Sequence, residues 1–164
     1  MTTAELWPEL FREIIANFPA GVVVATAFDA AGQPRGLTAS AFCPVSLEPP
    51  LILVCIDRTS NTLPAICETG GFTVNILSAG NEELARRMAT KAADKFEGLR
   101  WQPADAPGGP VLEDHTVAHA VCALESTIEA GDHLICLGRL LGGGVHAGAV
   151  PLVYIRRAFI ELGG

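Results

Sequence analysis

The sequence predicts a mostly β chain, antiparallel, closing fully or partly into a barrel and carrying a few short helices. Three observations predict it. Six or seven segments have strand-like composition, and most follow one another through turn sequences. Few intervening helices are long enough for the right-handed crossovers of a parallel sheet. Apolar residues make up 49% of the chain against 18% charged, which is enough to fill a core. An α+β sandwich fits the same string. At 164 residues the chain is read as one domain over residues 1–164.

Residues 9–18 set Leu10, Phe11, Ile14, Ile15 and Phe18 at helical spacing, which predicts a short amphipathic helix closed by Pro19. Residues 21–27, GVVVATA, make a first strand, and the turn-rich run from Asp29 to Pro34 leads into a second over 35–42. A connector over 43–50, with Pro44, Pro49 and Pro50, precedes a third strand at 51–56 that is apolar on both faces. Ser60 is placed to cap a helix running to Cys67, with Pro64 in its first turn and Thr69-Gly70-Gly71 ending it. Residues 72–77, FTVNIL, alternate as a fourth strand. Leu84 and Met88 stand four apart with Glu83 and Arg87 on an adjacent face, so a helix is expected over 81–90. Prolines and glycines in 98–114 allow only very short regular pieces. Strands follow at 116–128 and 133–141, joined by a turn at 129–132. A loose glycine-rich excursion through Gly142, Gly143, Gly144 and Gly148 comes next, then a last strand at 151–155. Residues 159–162 read as a short tail, and Gly163 and Gly164 as a fraying end.

The formal charge is −7, and the 11 Lys and Arg residues are dispersed except for the pairs Arg86-Arg87 and Arg156-Arg157. No cationic track exists for a phosphate backbone, so nucleic acid is excluded as a partner. The longest apolar runs fall well short of the roughly 20 residues that a membrane span needs. The first residues, MTTAELWPEL, hold acids and a proline where a secretory leader carries basic and then apolar residues. A cytoplasmic protein is expected. Cys43, Cys55, Cys67, Cys122 and Cys136 are odd in number and contain no Cys-x-x-Cys pair, which suits neither a zinc site nor a disulfide framework. Cys55, Cys122 and Cys136 read as small buried apolar residues, and no metal is expected. The low charge content also predicts apolar surface buried against a second copy.

No nucleophile elbow, zinc-protease motif or phosphate-binding P-loop is present, and the glycine fingerprint of a dinucleotide-binding crossover is missing. What remains is a set of modest candidates. The run 36–42, GLTASAF, is a strand of small side chains carrying hydroxyls at Thr38 and Ser40. Such a strand lets a flat ligand lie against backbone amides, although small residues pack equally well at a barrel seam. Ser60-Asn61-Thr62 combines hydroxyls with unpaired N–H groups and suits an anion, or caps a helix and nothing more. His133, in the Gly131-Asp132-His133 turn, is held at a barrel edge where its near-neutral pKa would suit a donor or a positioning group. An unused turn histidine looks the same. Lys95 either reaches a ligand phosphate or stays solvated. His115, His119 and His146 are taken as structural.

In this order and spacing the segments resemble the flavin reductase domain family, the short NAD(P)H:flavin oxidoreductases that serve as reductase components of two-component flavin monooxygenases. The residues that carry the resemblance are 18–26 (FPAGVVVAT), 36–42 (GLTASAF), 45–50 (VSLEPP), 60–62 (SNT), 71–77 (GFTVNIL), 94–96 (DKF), 131–133 (GDH) and 151–154 (PLVY). The resemblance implies a split β-barrel of the FMN-binding type and a homodimer with flavin sites near the subunit contact. It also implies hydride transfer from nicotinamide C4 to flavin N5, with FMN preferred to FAD and NADH to NADPH, and a separate flavin-dependent monooxygenase as recipient. By the same resemblance Thr38, Ala39 and Ser40 face the flavin ring, and Ser60 and Thr62 contact its phosphate. Asp57 contacts the flavin through its backbone, Lys95 lies near the phosphate end, and His133 lies near the nicotinamide. Two departures stand out: Cys43 occupies a position where such proteins more often carry a hydroxyl, and the Gly142–Gly148 excursion is looser than a hairpin. The alternative is a flavin-binding protein or diverged flavoenzyme without free-flavin reductase activity.

Overall fold

The computed structural model describes residues 3–162, so the expectation for Gly163 and Gly164 lies outside the described residues. Helix α1 (Thr3–Ala16) leads into strands β1 (Ala20–Gly21), β2 (Val23–Phe28), β3 (Pro34–Ala39), β4 (Phe42–Leu47) and β5 (Pro50–Asp57). Helix α2 (Leu63–Thr69), β6 (Gly71–Leu77) and helix α3 (Glu82–Met88) follow, then the short β7 (Gln102–Pro103) and β8 (Pro110–Val111) and a 3-10 turn at Glu113–His115. The long pair β9 (Thr116–Ala130) and β10 (His133–Val145) and the hairpin β11 (Leu152–Ile155) and β12 (Ala158–Glu161) complete the chain. Among the described residues no helix is long and apolar enough to cross a membrane.

Seven strands form one antiparallel sheet in the order β3-β2-β6-β9-β10-β5-β4. The two edge strands, β3 and β4, are consecutive in the chain and separated only by Ser40 and Ala41. Laid flat, six strand spacings would put those edges about 29 Å apart. The two-residue link spans at most about 11 Å, so the sheet has to roll up. It rolls into a split barrel: the edges meet at the link, where Cys55 N–H donates to Ala41 O at 2.9 Å, but β3 and β4 do not pair. One side of β3 therefore keeps backbone N–H and C=O groups free of sheet partners.

Two cores back this sheet. Val23, Ala27, Val54, Ile56, Phe72, Val74 and Cys136 fill the barrel, with Ile66 of α2 packed among them. Val22, Val24, Leu77, Leu84, Met88 and Leu152 make a second cluster on the outer side of β2 and β6, under α3 and the β11–β12 hairpin. Strands β2 and β6 are thus buried on both faces, and the polar members of FTVNIL point into the protein. Thr73 and Asn75 are fully buried and meet the irregular segment before β9. Burial pushes the Cys122 and Cys136 thiols up to about 12.

Several boundaries move. Residues 43–50, expected as a connector, contain most of β4; Pro44 fits because an edge strand leaves one side unbonded and a register shift occurs between Pro44 and Ser46. Gly142, Gly143 and Gly144 are instead the end of β10, paired through Val145 with Ala118, while Gly148 lies in a turn at φ 83°. A Cβ on Gly143 would collide with the His119 carbonyl, and one on Gly144 would lie 2.8 Å from the His119 ring. These glycines answer close strand packing and not looseness. Residues 158–161 pair as β12. The first helix begins at Thr3, six residues before the predicted start at Glu9, and Pro8 sits within it.

Candidate functional site

The wall of small residues lies on the unpaired edge at the split. Thr38 Oγ1 donates to Ala85 O of α3 at 2.6 Å, which fixes the side chain and leaves its lone pairs facing outward. Ala39 turns its methyl into the barrel core, so only its backbone is offered to a ligand. Ser40, just past β3, is exposed. Beside this edge run two joined hollows. A slot of about 360 Å3 is bounded by Thr38, Ala39, Ser40, Ala85, Ala89 and the side chains of Tyr154, Arg157 and Phe159. A narrower cleft of about 180 Å3 continues from Thr38 and Ala89 to Asp57, Thr59, Ser60, Asn61, Lys91 and Lys95.

The cleft is organised by the loop after β5. Asp57 Oδ1 accepts from Thr59 N–H and from Thr59 Oγ1, both at 2.7 Å. Those two bonds, with smaller contributions from the His133 and Lys91 charges, hold the Asp57 carboxyl below its ordinary range. The Asp57 carbonyl accepts from Ser60 N–H at 2.9 Å. That bond closes the turn after β5 and uses one of the two lone pairs on the Asp57 carbonyl oxygen. Ser60 is not the helix cap. Thr62 takes that place before α2, and Ser60 Oγ accepts from Thr62 N–H at 3.1 Å, which leaves the Ser60 hydroxyl proton free to donate into the cleft. Thr62 itself is 2% exposed and sits behind the cleft wall.

Two ammonium groups face this loop. Lys91 Nζ donates to Thr59 Oγ1 at 2.9 Å. Lys95 Nζ donates to Gly36 O at 2.9 Å and Met88 O at 3.0 Å, which ties β3 to the end of α3 and leaves one N–H for the cleft. Burial pushes the Lys95 pKa down. In a chain of net charge −7 this cleft sets two ammonium groups and the Ser60 hydroxyl beside the Asp57 carboxylate, and those donors suit a phosphate.

His133 opens β10 directly opposite Asp57. Its Nδ1 meets Asp132 Oδ1 at 2.8 Å, a contact that also lowers the Asp132 pKa. With Nδ1 as donor to that carboxylate, Nε2 faces outward. The structure thus gathers Thr38, Ala39, Ser40, Asp57, Ser60 and Lys95 around one track, sets His133 next to its Asp57 end, and leaves Thr62 outside it. Sequence reasoning missed Thr59 and Lys91 in the cleft and Arg86, Tyr154, Arg157 and Phe159 in the slot. The Arg156-Arg157 pair was visible as charge but not as part of a site.

The family profile described as flavin reductase like domain matches residues 15–163. A flavin reductase (NADH) from Kitasatospora aureofaciens is 43% identical over 152 residues, covering 92% of this chain and 80% of that protein. Among solved structures, nitrilotriacetate monooxygenase component B from Mycobacterium thermoresistibile superposes with a TM-score of 0.91 at 29% identity, over 98% of this chain and 89% of that one. The NADH:FAD oxidoreductase of Streptomyces globisporus C-1027, solved in complex with NAD and FAD fragments, gives 0.88 at 31% identity, over 95% and 93%.

Proposed function

The chain belongs to the flavin reductase like domain family, and from that premise we propose that it is an NADH:FMN oxidoreductase that supplies reduced flavin to a separate flavin-dependent monooxygenase. The observation that carries the reading is the continuity of the cationic cleft with the slot along the unpaired edge of β3. Thr38 and Ala89 line both hollows, so a ligand with its phosphate in the cleft can lead its ring into the slot. The residues present fit such a ligand: hydroxyls and ammonium groups at one end, small side chains and an open strand edge at the other. The cleft is small, which favours the monophosphate FMN over FAD. The two ligands supply hydride transfer from nicotinamide C4 to flavin N5, and the protein supplies proximity and orientation.

Each residue then has a defined task. Ser60 Oγ and Lys91 Nζ donate to the phosphate, Asp57 holds their loop, and Lys95 fixes the strand edge with its remaining N–H turned to the ligand. The edge of β3 from Thr38 to Ser40 receives the ring. His133, oriented by Asp132, positions the nicotinamide through Nε2. We also assign a homodimer. Phe11, Ile14, Ile15 and Phe18 are all exposed on one chain, as are Leu47 at 83% and Val145 at 84%. Large apolar groups exposed to that degree are ordinarily covered.

The decisive experiment follows NADH absorbance while NADH and NADPH are crossed against FMN, FAD and riboflavin. Oxidation that depends on added flavin, fastest with NADH and FMN, is expected; unchanged absorbance in every combination would overturn the reading. Ser60→Ala removes one charge-assisted hydrogen bond and is expected to weaken FMN binding by about 1–3 kcal/mol, read by fluorescence titration. Riboflavin, which lacks the phosphate, should bind both proteins equally. His133→Ala is expected to lower turnover with NADH by about 10- to 100-fold through misplaced rings, with FMN affinity little changed. Matching steady-state kinetics in wild type and H133A would remove His133 from the site.

A further inference from the structure

His115, His119 and His146 all read as structural in the sequence, and for His115 the structure agrees, since its Nδ1 meets Asn81 Oδ1 at 2.6 Å. The other two differ. Among the described residues, two buried side-chain nitrogen or oxygen atoms have no hydrogen-bond partner, and they are Nδ1 of His119 and Nε2 of His146. A buried polar atom left unpaired is destabilising, so two of them in neighbouring rings mark a place shaped for something other than packing.

The backbone brings the rings together. His119 stands opposite Gly144 across β9 and β10, and the His146 N–H, just past the end of β10, donates to Val117 O at 2.7 Å. The two histidines are therefore diagonal neighbours on one face of the strand pair, with ring centres 6.4 Å apart. Gly144 sets the aim of the first ring. A Cβ there would lie 2.8 Å from His119 Cε1, 3.4 Å from Nδ1 and 3.6 Å from Nε2, so the ring lies against β10. Val145, given above to the dimer contact, alternates to the opposite face.

The charges suit a cation. Glu113 and His119 border the same hollow of about 330 Å3, beside the segment before β9. Burial and the neighbouring His146 hold the His119 pKa below its ordinary value, against the opposing pull of Glu113. At neutral pH the His119 ring is thus uncharged, and with its proton on Nε2 the buried Nδ1 carries a lone pair.

We propose that His119 and His146 bind a late first-row divalent metal ion, of which zinc is the representative, in an open site that ties β10 to β9. Metal–imidazole bonds of about 2.0–2.1 Å hold the centres of two imidazoles on one ion about 5–6.5 Å apart, and the observed spacing falls within that range. Imidazole nitrogen selects copper, nickel and zinc over magnesium and calcium, which take oxygen. No cluster of three or more His, Cys, Asp or Glu ligands occurs among the described residues, so water completes the coordination and the affinity is micromolar, weaker than that of a closed structural site. The hollow shares no lining residue with the slot or the cleft, and the proposal stands independently of the flavin reading.

The test titrates the full chain, stripped of metal with a chelator and dialysed, with zinc chloride by calorimetry. One zinc per chain is expected, with no heat from magnesium chloride. His119→Ala and His146→Ala should each weaken zinc binding by at least about 10-fold, since even groups that only orient a metal ligand are worth that much. His133→Ala and the pair Cys43→Ser and Cys67→Ser, which remove other exposed donors, should keep it. Zinc at about 100 times its dissociation constant should raise the wild-type melting temperature by about 5–10 °C and leave H146A unmoved. His119→Gln, which retains more of the side chain, replaces H119A if the latter does not fold. No heat from zinc would overturn the proposal and leave a shared water as the partner of the two nitrogens. Equal zinc affinity in wild type and both histidine variants would overturn it by placing the ion elsewhere.

Discussion

Ser40→Phe is expected to abolish most flavin binding while leaving the fold intact. Ser40 is exposed, follows the last residue of β3, and borders the slot. A phenyl group there would project into space that a flavin ring needs, and nothing in the barrel core would have to move. An aromatic ring system buries about 150–250 Å2. Losing half of that contact at about 25 cal/mol per Å2 removes about 2–3 kcal/mol, or about 30- to 150-fold in dissociation constant. The melting temperature should match wild type, as for other exposed substitutions. Flavin-dependent NADH oxidation should fall with the binding, and FMN and riboflavin should lose equally, because the ring is displaced and not the phosphate. That pattern is opposite to the one expected for Ser60→Ala, where only the phosphate-bearing ligand suffers. Full flavin affinity in S40F would place the ring away from the β3 edge.

The parts of this site that were legible in the sequence are those set by local chain chemistry. GLTASAF announced a wall of small residues, and Ser60-Asn61-Thr62 announced a turn rich in hydroxyls. The turn at Gly131-Asp132-His133 did appear, with Gly131 at φ 62°. What was not legible depended on pairing between distant segments. Pro44 disguised β4 because local reading cannot see that an edge strand tolerates proline on its open side. Gly143 and Gly144 looked like a loop because the reason for their smallness is the opposing His119. Thr62 was grouped with Ser60 by adjacency, yet neighbours in a tight turn face opposite ways, and only one reaches the cleft. Lys91 and Arg157 enter the site from α3's far end and from a hairpin almost 100 residues after Ser60, with no local motif to mark them. The barrel itself was inferable as a class, while its split followed only from the strand order.

Asn75 illustrates the same boundary and carries the largest expected effect on stability. FTVNIL reads as a half-exposed alternating strand, in which an asparagine would face water. In the structure β6 is central, and the Asn75 amide is fully buried, where an unpaired polar group costs about 1–3 kcal/mol. All its groups are satisfied: Nδ2 donates to Val24 O at 3.2 Å, Thr26 Oγ1 at 3.2 Å and Pro110 O at 3.1 Å, and Oδ1 accepts from Leu112 N–H at 2.9 Å. Thr73 exchanges hydrogen bonds with Gly109 N–H and C=O one turn of the network away. Together they fasten the irregular segment before β9, which has little regular structure of its own, across β2 and β6. Asn75→Ala leaves the Leu112 N–H without a partner in a dry site and opens a small cavity. The expected loss is about 3 kcal/mol, which for a chain of this size is about 6–12 °C in melting temperature. Asn75 lies outside the cleft and slot, so FMN affinity measured well below the transition should be kept. If N75A instead melts within a degree of wild type, the segment is held by its apolar contacts at Val111 and Leu112, and the buried amide is incidental to the fold.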